Sequence, residues 1–119
     1  MRPAVHELSI ALGIVDAASE ELERRGGARV RAVHLRLGPL SGVAADALRS
    51  AYPLASQGSA LEGSELLIKN EPVTGHCPSC GTEVPVRSPA DLACTWCGEP
   101  VDRLLGGRAL EVIAMEIDG

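Results

Sequence analysis

The four cysteines of the chain form two short motifs with the same spacing. Cys77 and Cys80 belong to one copy of C-x-x-C-G, Cys94 and Cys97 belong to a second, and thirteen residues separate the two copies. Two residues between cysteines let a tight turn direct both sulfurs to one ion, and the trailing glycine supplies a backbone geometry that a Cβ would obstruct. Four thiolates suit Zn²⁺ and leave no open coordination position, so the spacing predicts a structural zinc site.

Other interpretations of these motifs remain open. Two disulfides are disfavoured in a reducing compartment, and a redox C-x-x-C is expected only once and beside a βαβ unit. His76, next to Cys77, is either a substitute ligand for a displaced thiolate or a solvated loop residue. Trp96, inside the second motif, is either an exposed apolar tip or a packing anchor, and we favour the packing anchor.

The composition of the chain excludes some classes of binding partner. The 119 residues carry 11 Lys and Arg against 16 Asp and Glu, a formal net charge of -5, and only 2% are aromatic. This charge has the wrong sign for holding nucleic acid or an anionic membrane, and bases find few rings to stack on. Between residues 73 and 106 the basic residues are only Arg87 and Arg103. We therefore expect no nucleic acid and no membrane among the partners.

One apolar stretch near the start of the chain could be mistaken for a targeting segment, and we expect that it is not one. An apolar stretch from Leu8 to Val15 resembles a short signal peptide, but His6 and Glu7 precede it and Asp16 ends it. No stretch approaches the roughly 20 apolar residues that span a bilayer. We therefore expect a cytoplasmic protein, in which thiols stay reduced and available to metal.

The pattern of apolar residues predicts an α/β (α+β) fold with two helices on a three-stranded mixed sheet and an inserted zinc-ribbon domain. Helical periodicity runs from Leu8 to Arg25, and a second helix runs from Val43 to about Ala51, limited by Pro53. Three strands are predicted, around residues 33–37, 65–70 and 109–117. The predicted domains are 1–72, completed by 107–119 as the returning last strand, and the zinc ribbon 73–106.

Two histidines outside the cysteine region need an interpretation. His6 and Glu7 precede the first helix, where a carboxylate complements the helix dipole and a histidine near a chain end is usually solvated. These two residues alone leave a metal site and a solvated helix start as alternatives. His34, on the polar face of its strand, is interpreted as exposed.

Four segments taken together resemble a known family. They are His6-Glu7-Leu8-Ser9-Ile10, Leu35-Arg36-Leu37-Gly38-Pro39-Leu40-Ser41-Gly42-Val43, Leu61-Glu62-Gly63-Ser64-Glu65-Leu66 and the paired C-x-x-C-G motifs. In this order, over nearly the whole chain, they resemble the HypA/HybF family of hydrogenase-maturation nickel chaperones. The cysteine motifs alone occur in many unrelated proteins, whereas their combination with the N-terminal segment is specific.

The resemblance implies a nickel metallochaperone, not an enzyme. It would deliver Ni²⁺ to the large subunit of [NiFe]-hydrogenase together with a HypB-type GTPase, and Zn²⁺ would be structural. By position, the nickel site falls on His6 as imidazole donor and Glu7 as its neighbour, with nearby backbone nitrogens. The alternative is a zinc-ribbon adaptor that organises other macromolecules without transferable metal.

The chain departs from the family pattern at its start. The family has Met directly before His-Glu, whereas here Met1-Arg2-Pro3-Ala4-Val5 precede His6. Val5 occupies the place of the initiator, and a GTG codon can initiate translation with Met. This leads to the hypothesis that translation starts at Val5, which an intact-mass measurement on protein made from its native gene context would test.

Overall fold

The computed structural model describes residues 5–118. The elements of this range, in chain order, are α1 (Val5–Arg24), β1 (Arg29–Leu37), α2 (Ala45–Ser56), β2 (Glu65–Asn70), β3 (Thr74–Cys77), β4 (Thr82–Ser88), β5 (Asp91–Cys94), β6 (Arg103–Gly106) and β7 (Leu110–Asp118). The start-site hypothesis concerns Met1 to Ala4, which lie outside the described residues. No helix between residues 5 and 118 has both the length and the apolar character to span a membrane.

The first sheet has three strands in the order β2-β1-β7. Its central strand buries Val33, Leu35 and Leu37, the alternating positions that the sequence pattern predicts. The last strand of the chain pairs with the first, so the predicted return of residues 109–117 to this sheet is confirmed. The predicted fold class, with two helices and a mixed sheet, is confirmed as well.

The long helix α1 presents one apolar stripe to the core. Its buried residues recur at three- and four-residue intervals, the helical period: they are Glu7, Ala11, Ile14, Val15, Ala18 and Leu22. The helix ends where Gly26 and Gly27 adopt positive φ angles of 98° and 69°. The Gly27 N–H donates to the Leu22 carbonyl at 2.9 Å, which satisfies a carbonyl of the last turn.

The second helix continues through Pro53, so the prediction that Pro53 limits it is wrong. A proline inside a helix removes one hydrogen bond and costs about 3 kcal/mol. The side chains of Tyr52 and Ala55 are nevertheless only 2% and 7% exposed. The last turn stays helical because burial of these neighbours outweighs the missing hydrogen bond.

The second sheet has four strands in the order β5-β4-β3-β6. Its pairs are antiparallel, with Gly75 opposite Val84 and Val86 opposite Cys94. Its fully buried side chains are Cys77, Val84 and Cys94, with Val101 packed against them. Two of these short strands, β3 and β5, end at Cys77 and Cys94.

Contacts divide the described chain into two compact units. The first comprises residues 5–35, 43–69 and 111–118, and the second comprises residues 36–42 and 70–110. The second unit therefore includes the last two residues of β1 and the turn that follows them, residues 36–42, which lie far from the cysteines in sequence. The predicted domain boundaries, 1–72 with 107–119 and 73–106, stay a prediction.

Within the second unit, this turn is hydrogen-bonded to the segment that leads into β7. The Gly38 N–H donates to the Ala109 carbonyl and the Leu40 N–H to the Gly107 carbonyl, both at 2.8 Å. The Glu71 carboxylate accepts the N–H groups of Gly107 at 2.6 Å and Ala109 at 3.2 Å. A Cβ on Gly38 would overlap the Gly107 carbonyl, so only glycine fits this approach.

Candidate metal centres

Each pair of cysteines occupies the end of a strand and the turn that follows it. Cys77 is the last residue of β3 and Cys94 the last residue of β5, and both are buried. Cys80 and Cys97 lie in the turns and are exposed. The cluster therefore combines two interior sulfurs with two at the surface.

A glycine closes each turn. The Gly81 N–H donates to the Cys77 carbonyl at 2.8 Å, and the Gly98 N–H donates to the Cys94 carbonyl at 2.9 Å. The φ angles of these glycines are +70° and +82°, in the region that L side chains rarely adopt. The trailing glycine of the motif thus has the backbone role that the sequence predicts.

The four sulfur atoms lie close enough together to share one ion. All four Sγ atoms lie within 4.8 Å of one another. The Cys77 and Cys97 sulfurs are 3.5 Å apart, and those of Cys80 and Cys94 are 3.9 Å apart. A tetrahedral ion with metal–sulfur bonds of about 2.3 Å requires edges of about 3.8 Å, whereas a disulfide bond is about 2.05 Å long. The distances fit one bound ion, and all four cysteines are free thiols.

The pKa values of the cysteine thiols favour a bound cation. Burial acts to raise the pKa of Cys94, but the N–H groups of Cys97 and Trp96 outweigh it and lower this pKa to about 7. Burial together with the neighbouring thiols raises the pKa of Cys80 to about 12. Four anionic sulfurs can therefore coexist only around a positive charge, which a divalent metal supplies.

Two side chains beside the cluster do not join it. The Nδ1 atom of His76 lies 3.0 Å from Oδ1 of Asp102, and His76 is outside the cysteine group. The side chain of Trp96 is 64% exposed, so its interpretation as a packing anchor is wrong. Its backbone N–H lies 3.3 Å from the Cys94 sulfur, and this contact fixes the turn while the indole faces solvent.

His6 and Glu7 lie in the first turn of α1 in different surroundings. The His6 side chain is 62% exposed, whereas that of Glu7 is 7% exposed. Nδ1 of His6 is 3.4 Å from Oε2 of Glu7. The helix start therefore presents an imidazole to solvent and a carboxylate to the interior.

The Glu7 carboxylate accepts a hydrogen bond from the backbone at the start of α2. The Ala44 N–H donates to Oε2 of Glu7 at 3.1 Å, and Ala44, at the N-cap position, makes no side-chain capping bond of its own. This hydrogen bond is the main cause that lowers the pKa of Glu7, against the opposing effect of burial. The two residues are 37 positions apart, and no local pattern indicated their contact.

A metal at the helix start would take most of its donors from the backbone. Between residues 5 and 118, no third His, Cys, Asp or Glu side chain comes close enough to complete a group with His6 and Glu7. The first four N–H groups of a helix have no acceptor within the helix, so the nitrogens of this turn are not committed to it. Imidazole and amide nitrogens are suitable donors for square-planar Ni²⁺.

His34 is not the freely exposed residue that the strand pattern predicts. Its Nε2 atom lies 2.7 Å from Oε2 of Glu116, and its side chain is 35% exposed. Arg31 also contacts Glu116, at 3.4 Å. His34 is the first cause and Arg31 the second of the lowered pKa of Glu116. The partner is 82 positions away, so no local pattern indicated this contact.

Known sequences place the chain in one family. A family model described as "Hydrogenase/urease nickel incorporation, metallochaperone, hypA" matches residues 5–117. The hydrogenase maturation factor HypA of Chloroflexus aggregans is 45% identical over 112 residues, covering 94% of this chain and 98% of the relative. The protein of the same name from Deinococcus radiodurans is 40% identical over 108 residues, covering 91% and 89%.

Solved structures agree in fold. The solution structure of the Ni metallochaperone HypA from Helicobacter pylori matches with a TM-score of 0.64 at 17% identity, covering 93% of this chain and 96% of that one. A second solution structure of a HypA protein matches with a TM-score of 0.67, also at 17% identity, covering 96% and 97%. Together with the family model and the sequence relatives, they establish that the chain belongs to the HypA family of nickel-incorporation metallochaperones and hydrogenase maturation factors.

Proposed function

We propose that the chain binds Ni²⁺ at the start of α1 and delivers it to the large subunit of a [NiFe]-hydrogenase, while its four cysteines hold a structural zinc ion. The contrast between the two donor sets carries this proposal. The four sulfurs lie within 4.8 Å of one another and can enclose an ion completely, whereas the His6 imidazole is exposed. An ion enclosed by four thiolates has no open position, but an ion at an exposed imidazole can pass to the ligands of another protein.

In the proposed nickel site, His6 and Glu7 have different roles. His6 supplies the imidazole. Glu7 already accepts the Ala44 N–H, so it fixes the turn through its side chain and offers its backbone nitrogen to the metal. Acidification should weaken nickel binding, because only a neutral imidazole coordinates a metal.

The proposed partners are a HypB-type GTPase and the hydrogenase large subunit, in the cytoplasm. The chain has no G-x-x-x-x-G-K-[ST] sequence, so GTP hydrolysis is assigned to the GTPase and no catalytic step to this protein. Exposed acidic residues of α1, such as Glu20 and Glu23, and the net charge of -5 favour association with a basic partner surface. Reversing both charges should slow association at low salt, with helix content as the control.

Metal binding tests the two sites separately. Reduced protein should contain about one zinc per chain, and nickel should bind in addition to it. His6→Ala should abolish nickel binding and leave zinc content unchanged. His34→Ala is the matched control, since His34 is engaged by Glu116, and it should bind nickel normally. Wild-type protein that binds zinc but no nickel would instead support the adaptor function.

Delivery needs its own experiment. Protein loaded with radioactive nickel is mixed with the nickel-free hydrogenase large subunit and the GTPase, with a chelator present to trap released metal. Nickel should appear on the large subunit only when the loaded protein carries His6. Equal transfer from His6→Ala protein would contradict the proposed site, and complete loss of nickel to the chelator would contradict direct delivery.

A further inference from the structure

The only tryptophan of the chain lies on an exposed turn, residues 94–100, which we call the Trp96 turn. The side chain of Trp96 is 64% exposed, whereas that of Tyr52, the only tyrosine in a chain without phenylalanine, is 2% exposed. The residues of the turn from Thr95 to Pro100 are all exposed. An exposed indole forfeits the large apolar burial that this side chain can contribute to folding. The fold therefore leaves the indole accessible to a molecule outside the chain.

Hydrogen bonds hold the backbone of the Trp96 turn in place. The Trp96 N–H lies 3.3 Å from the Cys94 sulfur, and the Cys94 N–H donates to the Glu99 carbonyl at 2.8 Å. The N–H and the hydroxyl of Thr95 both donate to the Pro85 carbonyl of β4, at 3.2 Å and 3.0 Å. An aromatic side chain on a fixed backbone loses little conformational entropy on binding, and tryptophan is enriched among the residues that dominate interface energies. The turn therefore presents a preorganised aromatic ring.

The region that carries this turn is acidic. Between residues 73 and 106 the acidic residues outnumber the basic ones: they are Glu83, Asp91, Glu99 and Asp102 against Arg87 and Arg103. If the cysteines hold zinc, as proposed above, four thiolates also outnumber the two charges of the metal, so the cluster adds further negative charge. The field of this region therefore attracts cations.

A carboxylate of the Trp96 turn is available to such a cation. The Arg87 guanidinium lies beside Gly98 of the turn, but it is already paired with Asp91, at 3.6 Å. Glu99 is exposed, and among residues 5–118 no cationic side chain pairs with its carboxylate. The turn thus combines an accessible indole with an uncompensated negative charge three positions away.

We propose that the Trp96 turn is the docking point for a basic segment of a partner protein, in which an arginine side chain stacks on the Trp96 indole and its charge is balanced by Glu99. Tryptophan is the strongest aromatic partner for a cation, and the planar guanidinium of arginine stacks on aromatic faces. The acidic surroundings favour arginine over a neutral apolar side chain. They also disfavour a stacked nucleic acid base, because its backbone is anionic.

Fluorescence anisotropy with labelled hexa-arginine amide and hexa-lysine amide tests this docking point on reduced, zinc-loaded full chain at low salt. The two peptides carry the same charge, but only the guanidinium stacks as a plane, so the wild type should bind hexa-arginine more tightly. Trp96→Leu keeps an exposed apolar side chain without a ring. It should weaken hexa-arginine binding by about 5-fold to 30-fold and remove the preference for arginine, whereas Trp96→Phe should lie between the two.

The carboxylate is tested separately with a matched pair of variants. Glu99→Gln should weaken the binding of both peptides by about 2-fold to 5-fold, because it removes charge without removing the ring. Glu65→Gln removes an equally exposed carboxylate from β2 and should leave binding unchanged. Equal weakening by the two substitutions would show that only the net charge of the chain matters, which would contradict docking at this turn.

Zinc and nickel binding are measured on each variant, so that loss of docking is distinguished from failure of either proposed metal site. All Trp96 and Glu99 variants should keep the metal content of the wild type, and His6→Ala should bind hexa-arginine normally. Wild-type protein that binds neither peptide, or binds both equally, would overturn the proposal. Equal hexa-arginine binding by the wild type and Trp96→Leu would overturn it too. Binding that strengthens with salt would indicate an apolar occupant in place of arginine and would also contradict it.

Discussion

The helical part of the molecule and its cysteine-bearing sheet are stabilised in different ways. We call the first unit (residues 5–35, 43–69 and 111–118) the body and strands β3 to β6 the ribbon. The body buries a cluster of thirteen residues, nearly all aliphatic. The buried cluster of the ribbon has three residues, of which Cys77 and Cys94 are candidate metal ligands and only Val84 is an ordinary apolar side chain.

This difference shows how a short chain without phenylalanine supports two folded regions. Burial of an aliphatic side chain contributes about 1.5 to 3 kcal/mol, so the thirteen-residue cluster can hold the body together. The few small apolar side chains buried in the ribbon, Val84, Val86 and Ala93, cannot do the same for four strands. The ribbon therefore depends on metal–sulfur bonds, and the two regions should respond differently to the same treatment.

Removal of the metal should have the largest effect and should be confined to the ribbon. Cys94→Ala should lose zinc and fixed structure in residues 73–106, because structural zinc can contribute more than about 10 kcal/mol to folding. Ser79→Ala, in the turn of the first motif, is the control and should keep both. Amide hydrogen exchange would locate the loss. Loss of protection in α1 as well would show that the two regions are not independent.

A cavity in the body should produce the converse result. Leu48 is fully buried, so Leu48→Ala should destabilise the body by about 2 to 5 kcal/mol while zinc stays bound. Leu54 lies on the same helix and is 53% exposed, so Leu54→Ala should cost less than about 1 kcal/mol. Urea unfolding followed by helix content, with zinc measured in parallel, distinguishes the two. Release of zinc at the midpoint of Leu48→Ala unfolding would contradict the comparison.

Two glycine substitutions should change stability in opposite directions. Gly38→Ala places a methyl group against the Gly107 carbonyl and should cost about 1 to 3 kcal/mol through overpacking. Gly13 lies inside α1, and a Cβ there meets nothing within 4 Å, so Gly13→Ala should stabilise by about 0.5 to 1 kcal/mol. Thermal unfolding of the two variants measures both effects. Similar shifts in the same direction would contradict the assigned backbone approach.

The smallest expected effect concerns acid. The Ala44 N–H holds the pKa of Glu7 below its ordinary value of 4.5. The stability from this carboxylate is therefore fully present above pH 4.5 and is lost as the pH falls through the lower pKa of the folded state. Glu7→Gln should reduce the acid sensitivity of the body below pH 4.5, whereas exposed Glu23→Gln should not. Urea midpoints between pH 7 and pH 3 provide the test.

Local patterns in the sequence predicted much of this molecule. The apolar stripe of α1, the alternation in β1 and the cysteine spacing are each set by residues a few positions apart, and the structure agrees with them. The contact between Ala44 and Glu7 and the one between His34 and Glu116 join distant segments. Such pairs depend on tertiary packing, which one sequence does not reveal.

The interpretations of Pro53 and Trp96 were wrong because tertiary packing, not local sequence, decides what these residues do. Pro53 is locally a helix breaker, but burial of Tyr52 and Ala55 decides the conformation there. Trp96 is locally an apolar residue in a metal-binding turn, but that turn leaves its indole exposed. A local propensity predicts the conformation of a residue correctly only where the tertiary environment of that residue does not oppose it.

The single tyrosine and the single tryptophan of the chain divide between these two regions. Tyr52 is 2% exposed in the body, and its hydroxyl lies 2.7 Å from the Ser64 hydroxyl. Trp96 lies between two cysteines of the ribbon. Excitation at the long-wavelength edge of the near-ultraviolet aromatic absorption excites the indole of Trp96 alone. The phenol of Tyr52 contributes at shorter wavelengths. One unmodified sample thus contains a separate fluorophore for each region, and the unfolding of either can be followed optically without attaching a dye.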